Sequence, residues 1–317
     1  MVKSSLQSYD GAVFHVDILG FSALTNGVIE GVSDSVYEAW GLNRPEEKNH
    51  SFLAANILLE FRAALLELHD VYPNVRIAQI SDCAFIWNKD MFELLKAVHF
   101  FMWHAILDKG ILCRGGLAFG EIISVDNESD FLGAYIVGDA VTRAAHNERR
   151  LKGCRIAMDV EFAQDFWNHV DGSKLTPQIQ VELFNEVKSL IDMSSVDEYR
   201  WYICSADALC KNDGKILSYK DRVSITKERM SLANTMIHHP RMGWNAANKD
   251  GNIHLSASLY AVTESPLLHV KHDFQRCEVS AGHRSILNLN RANIRTSQDD
   301  EYSMYSKVYD YRDVFEQ

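Results

Sequence analysis

The chain opens on an apolar climb in which Val13, Phe14 and Val16 read as a buried strand, and Asp17 then stands among apolar neighbours. Gly20 and Phe21 turn the segment at Ser22, where a helix is expected to start. Residues 27–50 are mixed, polar and punctuated by Gly and Pro, which suits an excursion with one helical turn. Between residues 51 and 72 apolar positions recur near helical period, with Ser51 as the expected N-cap. Residues 75–87 are strand-like around an interior Ser81-Asp82, and a second apolar helix is expected over 91–108. Residues 111–125 fit a strand pair or one long bent strand. A glycine-rich stretch over 133–151 opens a helix, and 153–159 returns as a strand. From about residue 215 the pattern changes to a charged amphipathic helix, an interrupted helix pair and a polar tail from 268. Strands and helices alternate too irregularly for a doubly wound sheet. The expected fold class is α+β, an antiparallel or mixed sheet covered by helices, followed by a helical C-terminal extension.

Bulk properties narrow this only slightly. At 317 residues, 47% hydrophobic and 24% charged, the chain has room for one large domain with an extension. The longest apolar runs are too short and too interrupted to span a bilayer. There is no basic start leading into an apolar signal stretch, so a cytoplasmic protein without a membrane partner is expected. The six cysteines show no CxxC spacing and read as reduced, buried thiols. A net charge of -11 argues against a nucleic-acid partner. It leaves a polyphosphate ligand open, because a divalent metal reverses the local sign.

Chemistry concentrates at Asp17 and Asp82, two carboxylates on strand-like segments. A strand-end Asp that caps the following helix is the structural explanation for Asp17. The functional one is a metal ligand, since carboxylates on neighbouring strands can clamp two divalent ions about 3.5–4 Å apart for phosphoryl transfer. Backbone N–H groups at Gly20, Phe21 and Ser22 would suit phosphate oxygens.

In order and spacing these features resemble the class III nucleotidyl cyclases. That pattern runs Asp-Ile-x-Gly-Phe-Thr/Ser, followed closely from Asp17 to Ser22 within "FHVDILGFS". It continues with a Gly-Asp hairpin, here Ser81-Asp82, and an Arg-x-Gly strand, here Arg114, Gly116 and Gly120. A glycine-led helix follows, here "GDAVTRAAHNE". The resemblance covers roughly residues 10 to 205. It implies a catalytic domain over 1–210, an extension over 211–317, and two Mn2+ or Mg2+ ions held by Asp17, Asp82 and the Ile18 carbonyl. It also implies a homodimer whose sites form between two chains, one supplying the carboxylates and the other the helix residues and base pocket.

Several positions depart from that pattern. Thr142 stands where the family has a ribose-orienting Asn, and His146 where it has an Arg that steadies transition-state charge. Arg149 and Arg150 lie near the same helical face and either replace that cation or form a solvated helix end. The purine-reading positions are Ala78 and Tyr135, neither of which keeps a purine code. Tyr135 could fill the space a smaller pyrimidine leaves, or serve as a core or interface aromatic. The combination is similar to the bacterial pyrimidine cyclases of the Pycsar anti-phage systems. That likeness implies UTP, or CTP, as substrate, a cyclic UMP or cyclic CMP product, and an effector that senses it. The rival expectation is a cyclase-like module that binds a nucleotide without turning it over.

Overall fold

The structure, a computed structural model, describes residues 6–29, 31–125, 135–172, 175, 177–188, 195–210, 217–247 and 249–264; the expected polar tail lies outside them. Eight strands form one mixed sheet: β1 (Leu6–Ile18), β2 (Arg76–Ile80), β3 (Cys83–Asn88), β4 (Cys113–Val125), β5 (Tyr135–Val137), β6 (Ile156–Met158), β7 (Phe184–Lys188) and β8 (Ser195–Tyr199). Their order is β2-β3-β1-β4-β6-β8-β7, with β5 paired to β4. The β4–β6 pairing is parallel and the other pairings are antiparallel.

Strand β1 lies between β3 and β4 and is buried on both faces from Ala12 to Val16, so its sequence is a near-continuous apolar run. Phe14, Val16 and Ile18 face the main core, which includes α3 (His50–Val71) and α4 (Met91–His104). Val13 faces the other way, into a smaller cluster with Ala78, Trp87, Ala118, Ala140 and Ala144 beneath α5 (Asp139–Glu148). By the two-residue period of a strand, His15 and Asp17 share the α5 face.

The remaining helices are α1 (Phe21–Thr25), α2 (Asp34–Ala39), α6 (Val160–His169), α7 (Pro177–Leu183), α8 (Ala206–Cys210), α9 (Tyr219–His238) and α10 (Lys249–Glu264). A 3-10 helix over Pro240–Ala247 joins the last two. The C-terminal helices add Leu232, Met236, Trp244 and Leu259 to the main core. Among the described residues no helix is long and apolar enough to cross a membrane.

Two local expectations are corrected. Helix α3 starts at His50, so its cap is Asn49, whose side chain accepts from the N–H groups of Ser51 and Phe52 at 3.0 and 3.1 Å. Helix α4 ends at His104 and passes into a π turn over Ala105–Lys109, closed by Gly110 in the left-handed region. The "GGLAFGE" glycines lie inside the single long strand β4, the one-strand alternative for residues 111–125. A side chain at Gly116 would collide with the Ala144 carbonyl and the Glu148 N–H of α5. Glycine there lets the helix lie directly on the sheet. Trp201 and Tyr202 are buried in a 3-10 turn just past β8. Arg200, which precedes them, is tied to Glu182 at 2.5 Å.

Candidate active site

Two backbone bonds fix the end of β1. The Ile18 N–H donates to the Asp82 carbonyl at 3.1 Å, and the Leu19 N–H donates to the Leu112 carbonyl at 2.9 Å. In register Asp17 stands opposite Cys83 on one side and Arg114 on the other. Asp82 immediately precedes Cys83, in the two-residue turn between β2 and β3. Ser81 in that turn has a φ of 56°, the one non-glycine residue among those described with a positive φ. The resembling pattern has Gly at this position, and the left-handed backbone supplies the physical reason for that preference. The hairpin therefore sets Asp82 beside the end of β1.

The surrounding charge is unbalanced. Arg114 reaches Asp17 at 3.5 Å and forms a closer pair with Glu148, which is buried at the end of α5. Burial and the nearby Glu148 push the Asp17 carboxyl up to about 7; Arg114 pulls it down, and Asp82 raises it further. Burial also raises Glu148, against the pull of Arg114 and Arg149. Burial, then Asp17 and Asp82, push the Cys83 thiol up to about 11. His15, packed at a tilt against Phe85 with ring centroids 4.6 Å apart, is held down at about 4 by burial and the arginines Arg149 and Arg114. Its Nδ1 has no hydrogen-bond partner.

These features test whether divalent ions fit. Asp17, Asp82 and the Ile18 carbonyl offer oxygen donors, which suit Mg2+ or Mn2+ better than a softer metal. Crowded carboxylates raise one another's pKa, and a bound cation would relieve that repulsion. Among the described residues no three His, Cys, Asp or Glu side chains group into a metal cage. Completing an ion's coordination there would fall to water and phosphate oxygens. The residues fit the ions on donor chemistry and on charge.

The remaining expected site residues fall in two places. Gly20, with a φ of 82°, begins the five-residue α1, and Phe21 is buried while Ser22 is exposed. Thr142, His146 and Arg149 are exposed along α5, whose Ala140 and Ala144 are buried on the sheet. Their spacing places them on one outer stripe of the helix. Thr142 bonds back to the Gly138 carbonyl at 3.3 Å, and Arg149 reaches Glu148 at 3.7 Å. Arg150 turns instead toward Asn147 and the Ser195 carbonyl. The stripe is exposed in the single chain, and Arg149 at its end acts on Glu148 and His15. Ala78 is buried in the cluster beneath α5, where Ile136 packs with it. Tyr135 precedes Ile136 on β5 and is 51% exposed, on the opposite side of that strand.

Sequence reasoning missed Glu148 and the environment of His15. The signal for Glu148 was present: it lies four and eight residues after the buried Ala144 and Ala140, so the polar end of α5 continues its buried stripe. Asn147, also buried, donates to the Leu117 carbonyl and to Asp159, both at 2.9 Å, and fastens the helix to the sheet.

No protein-family model matches the chain, and no curated protein matches it. Solved structures overlap it in part. The dimeric guanylyl cyclase domain of a RhoGC fusion protein from the aquatic fungus Blastocladiella emersonii is 15% identical, with a TM-score of 0.39; the match covers 62% of this chain and 97% of that one. The adenylyl cyclase CyaB from P. aeruginosa is 14% identical with a TM-score of 0.39, covering 62% and 94%. The guanylate cyclase domain of RhGC from Catenaria anguillulae, in complex with GTP, is 15% identical with a TM-score of 0.38, covering 61% and 97%. Overlap at this level decides nothing about what the chain does. The case for function rests on the chain's own residues.

Proposed function

We propose that the chain is a nucleotidyl cyclase of the class III type that converts a pyrimidine nucleoside triphosphate, UTP ahead of CTP, to its 3′,5′-cyclic monophosphate and pyrophosphate. The observation that carries this reading is the placing of Asp17 and Asp82 at one end of adjacent strands, in a pocket short of positive charge. In the reaction the 3′-oxygen of the ribose attacks the α-phosphorus, its proton is lost to solvent, and the bond to the β-phosphate breaks in line. Two divalent ions, when bound, would lower the pKa of that hydroxyl and neutralise charge on the leaving pyrophosphate. Asp17, Asp82 and the Ile18 carbonyl would hold them, while the Gly20-Phe21-Ser22 turn offers N–H groups to the phosphates. Positioning and fixed charge supply most of the acceleration.

The ribose and transition-state roles belong in this reading to Thr142, His146 and Arg149. Their exposure on the outer face of α5 supports supply from a second copy of the chain, and hence a homodimer. Base selection is placed at Ala78 and Tyr135, where a small buried wall and an exposed phenol favour a single ring over a purine. The division at 210/211 separates the catalytic segment from helices that share its hydrophobic core. The cyclic product would act as a second messenger in anti-phage defence, read by a separate effector.

The test is to offer the purified chain all four ribonucleoside triphosphates with Mn2+ and identify products by mass spectrometry, with Asp17→Ala as control. A cyclic pyrimidine monophosphate from the natural chain alone is the expected result. Cyclic AMP as main product would overturn the pyrimidine assignment. The second reading, a nucleotide-binding module without turnover, draws on Thr142 and His146 standing where an Asn and an Arg would be stronger. Nucleotide binding with no cyclic product from any triphosphate would favour it.

A further inference from the structure

The C-terminal 3-10 helix Pro240–Ala247 reaches the turn that follows Asp17. A side chain at Gly20 would lie 3.0 Å from Asn245 Oδ1 and 3.3 Å from the Trp244 ring. Both residues are buried, with Trp244 at 0% and Asn245 at 3% exposure. Neither Asn245 Oδ1 nor Asn245 Nδ2 has a hydrogen-bond partner. A buried primary amide with donor and acceptor both unmade is a costly arrangement, rarely kept without a partner in the working state.

The segment is held firmly in place. The Trp40 indole N–H donates to the Arg241 carbonyl at 2.8 Å. Arg241 in turn donates to the Ala39 carbonyl at 3.1 Å and pairs with Glu60 at 3.0 Å. Gly243 packs so closely on Val36 that a side chain there would clash. These anchors lie in the first part of the chain, so the amide is presented to the Gly20 turn by a rigid support.

We propose that Asn245 is a substrate-contacting residue: its Nδ2 donates to a phosphate oxygen of the triphosphate bound at the Gly20–Ser22 turn, while Oδ1 lies against Gly20. The inference rests on the reading that this turn takes the triphosphate. An uncharged amide suits the place, since it supplies a donor without neutralising Asp17 or Asp82. It makes the C-terminal extension part of the catalytic unit, which neither the motif pattern nor the sheet required.

The test uses the full chain with Mg2+ and inorganic tripolyphosphate, followed by calorimetry, on the natural protein, N245D and N245L. Both substitutions keep the size of the residue; one brings repulsion and the other removes the donor. The expected result is binding by the natural chain and a loss of about tenfold to a hundredfold in both variants. The melting temperature of N245L should stay at or above that of the natural chain, whereas N245D, which buries a carboxylate, is compared by affinity of the folded protein alone. Turnover of UTP provides a second measurement, with KM raised about tenfold and kcat changed less in N245L. A merely structural amide would shift the melting temperature and leave tripolyphosphate affinity and KM alone, and that outcome overturns the proposal. If the natural chain binds tripolyphosphate and both variants bind it equally well, Asn245 has no such role although the turn does. If the natural chain does not bind it, the reading of the turn falls and the proposal with it.

Discussion

The sheet carries two buried ionic clusters that differ in one respect. Near the β6–β8 pairing, Arg155 meets Glu198 with its Nε at 2.7 Å, and the Tyr202 hydroxyl donates to the same carboxylate at 3.1 Å. Charge and hydrogen bonds there are matched within the fold. At the end of β1, Asp17 and Glu148 share Arg114 with Asp82 close to Asp17, and Arg149 reaches Glu148 from the exposed side. The first cluster is complete in the folded chain. The second is left short of positive charge, which marks it as a place for something to bind rather than a device for stability.

The largest effect that tests this contrast is Asp17→Asn. Cyclic product should fall by a factor on the order of 10³ or more, as when a transition-state contact is removed, while the melting temperature stays level or rises. A variant that unfolds without a selective loss of product would place Asp17 with the structural pairs. The converse is Glu198→Ala, which strands Arg155 without a partner. It should cost about 3 kcal/mol of stability by urea denaturation, with the kcat of the remaining folded enzyme little changed. Equal losses of kcat in both variants would erase the contrast.

A third buried group is kept neutral. His99 is fully buried, bonded to the Tyr199 hydroxyl, and burial holds it at about 3, below its ordinary 6.5. The unfolded chain takes up a proton between those values, so the stability is present above pH 6.5 and is lost as pH falls toward 3. By pH 5.5 His99 should account for a loss on the order of 1 kcal/mol relative to pH 7.5. His99→Gln should flatten that part of the pH dependence in urea midpoints. An unchanged slope would show that His99 does not couple folding to protons. The smallest effect concerns the exposed Tyr135. Tyr135→Ala should alter the ratio of kcat/KM for UTP and CTP over ATP by about fivefold, with stability changed by less than about 0.5 kcal/mol. A constant ratio would remove Tyr135 from base selection.

Much of the fold was legible because it is written in short-range pattern. The near-continuous apolar run of β1, the helical period of α3 and α4, and the Ser81-Asp82 break between β2 and β3 all follow from local burial and turn chemistry. The α3 cap was misplaced by two residues because Asn49 and Ser51 are both good N-caps, and only the backbone bonds choose between them. The choice between a strand pair and one long strand over 111–125 was not legible, because sequence does not show that α5 presses on Gly116. Within the candidate site, Asp17 and Asp82 were legible by motif. Glu148 was hidden in a polar helix end, and Asn245 lay too far along the chain for any spacing to connect it with Gly20.

The sequence by itself determined a helix-covered sheet, two strand-end carboxylates and a glycine-led helix, because each depends on neighbours within a few residues. Only the tertiary structure decided the electrostatics: that Asp17 is crowded by Glu148, that Arg114 is shared between them, and that the outer stripe of α5 is exposed in the single chain. It also decided that the C-terminal segment closes on the Gly20 turn. Burial and charge coupling act through space over a few ångströms, and the residues that create them here come from four separated stretches of chain. No local pattern carries that information.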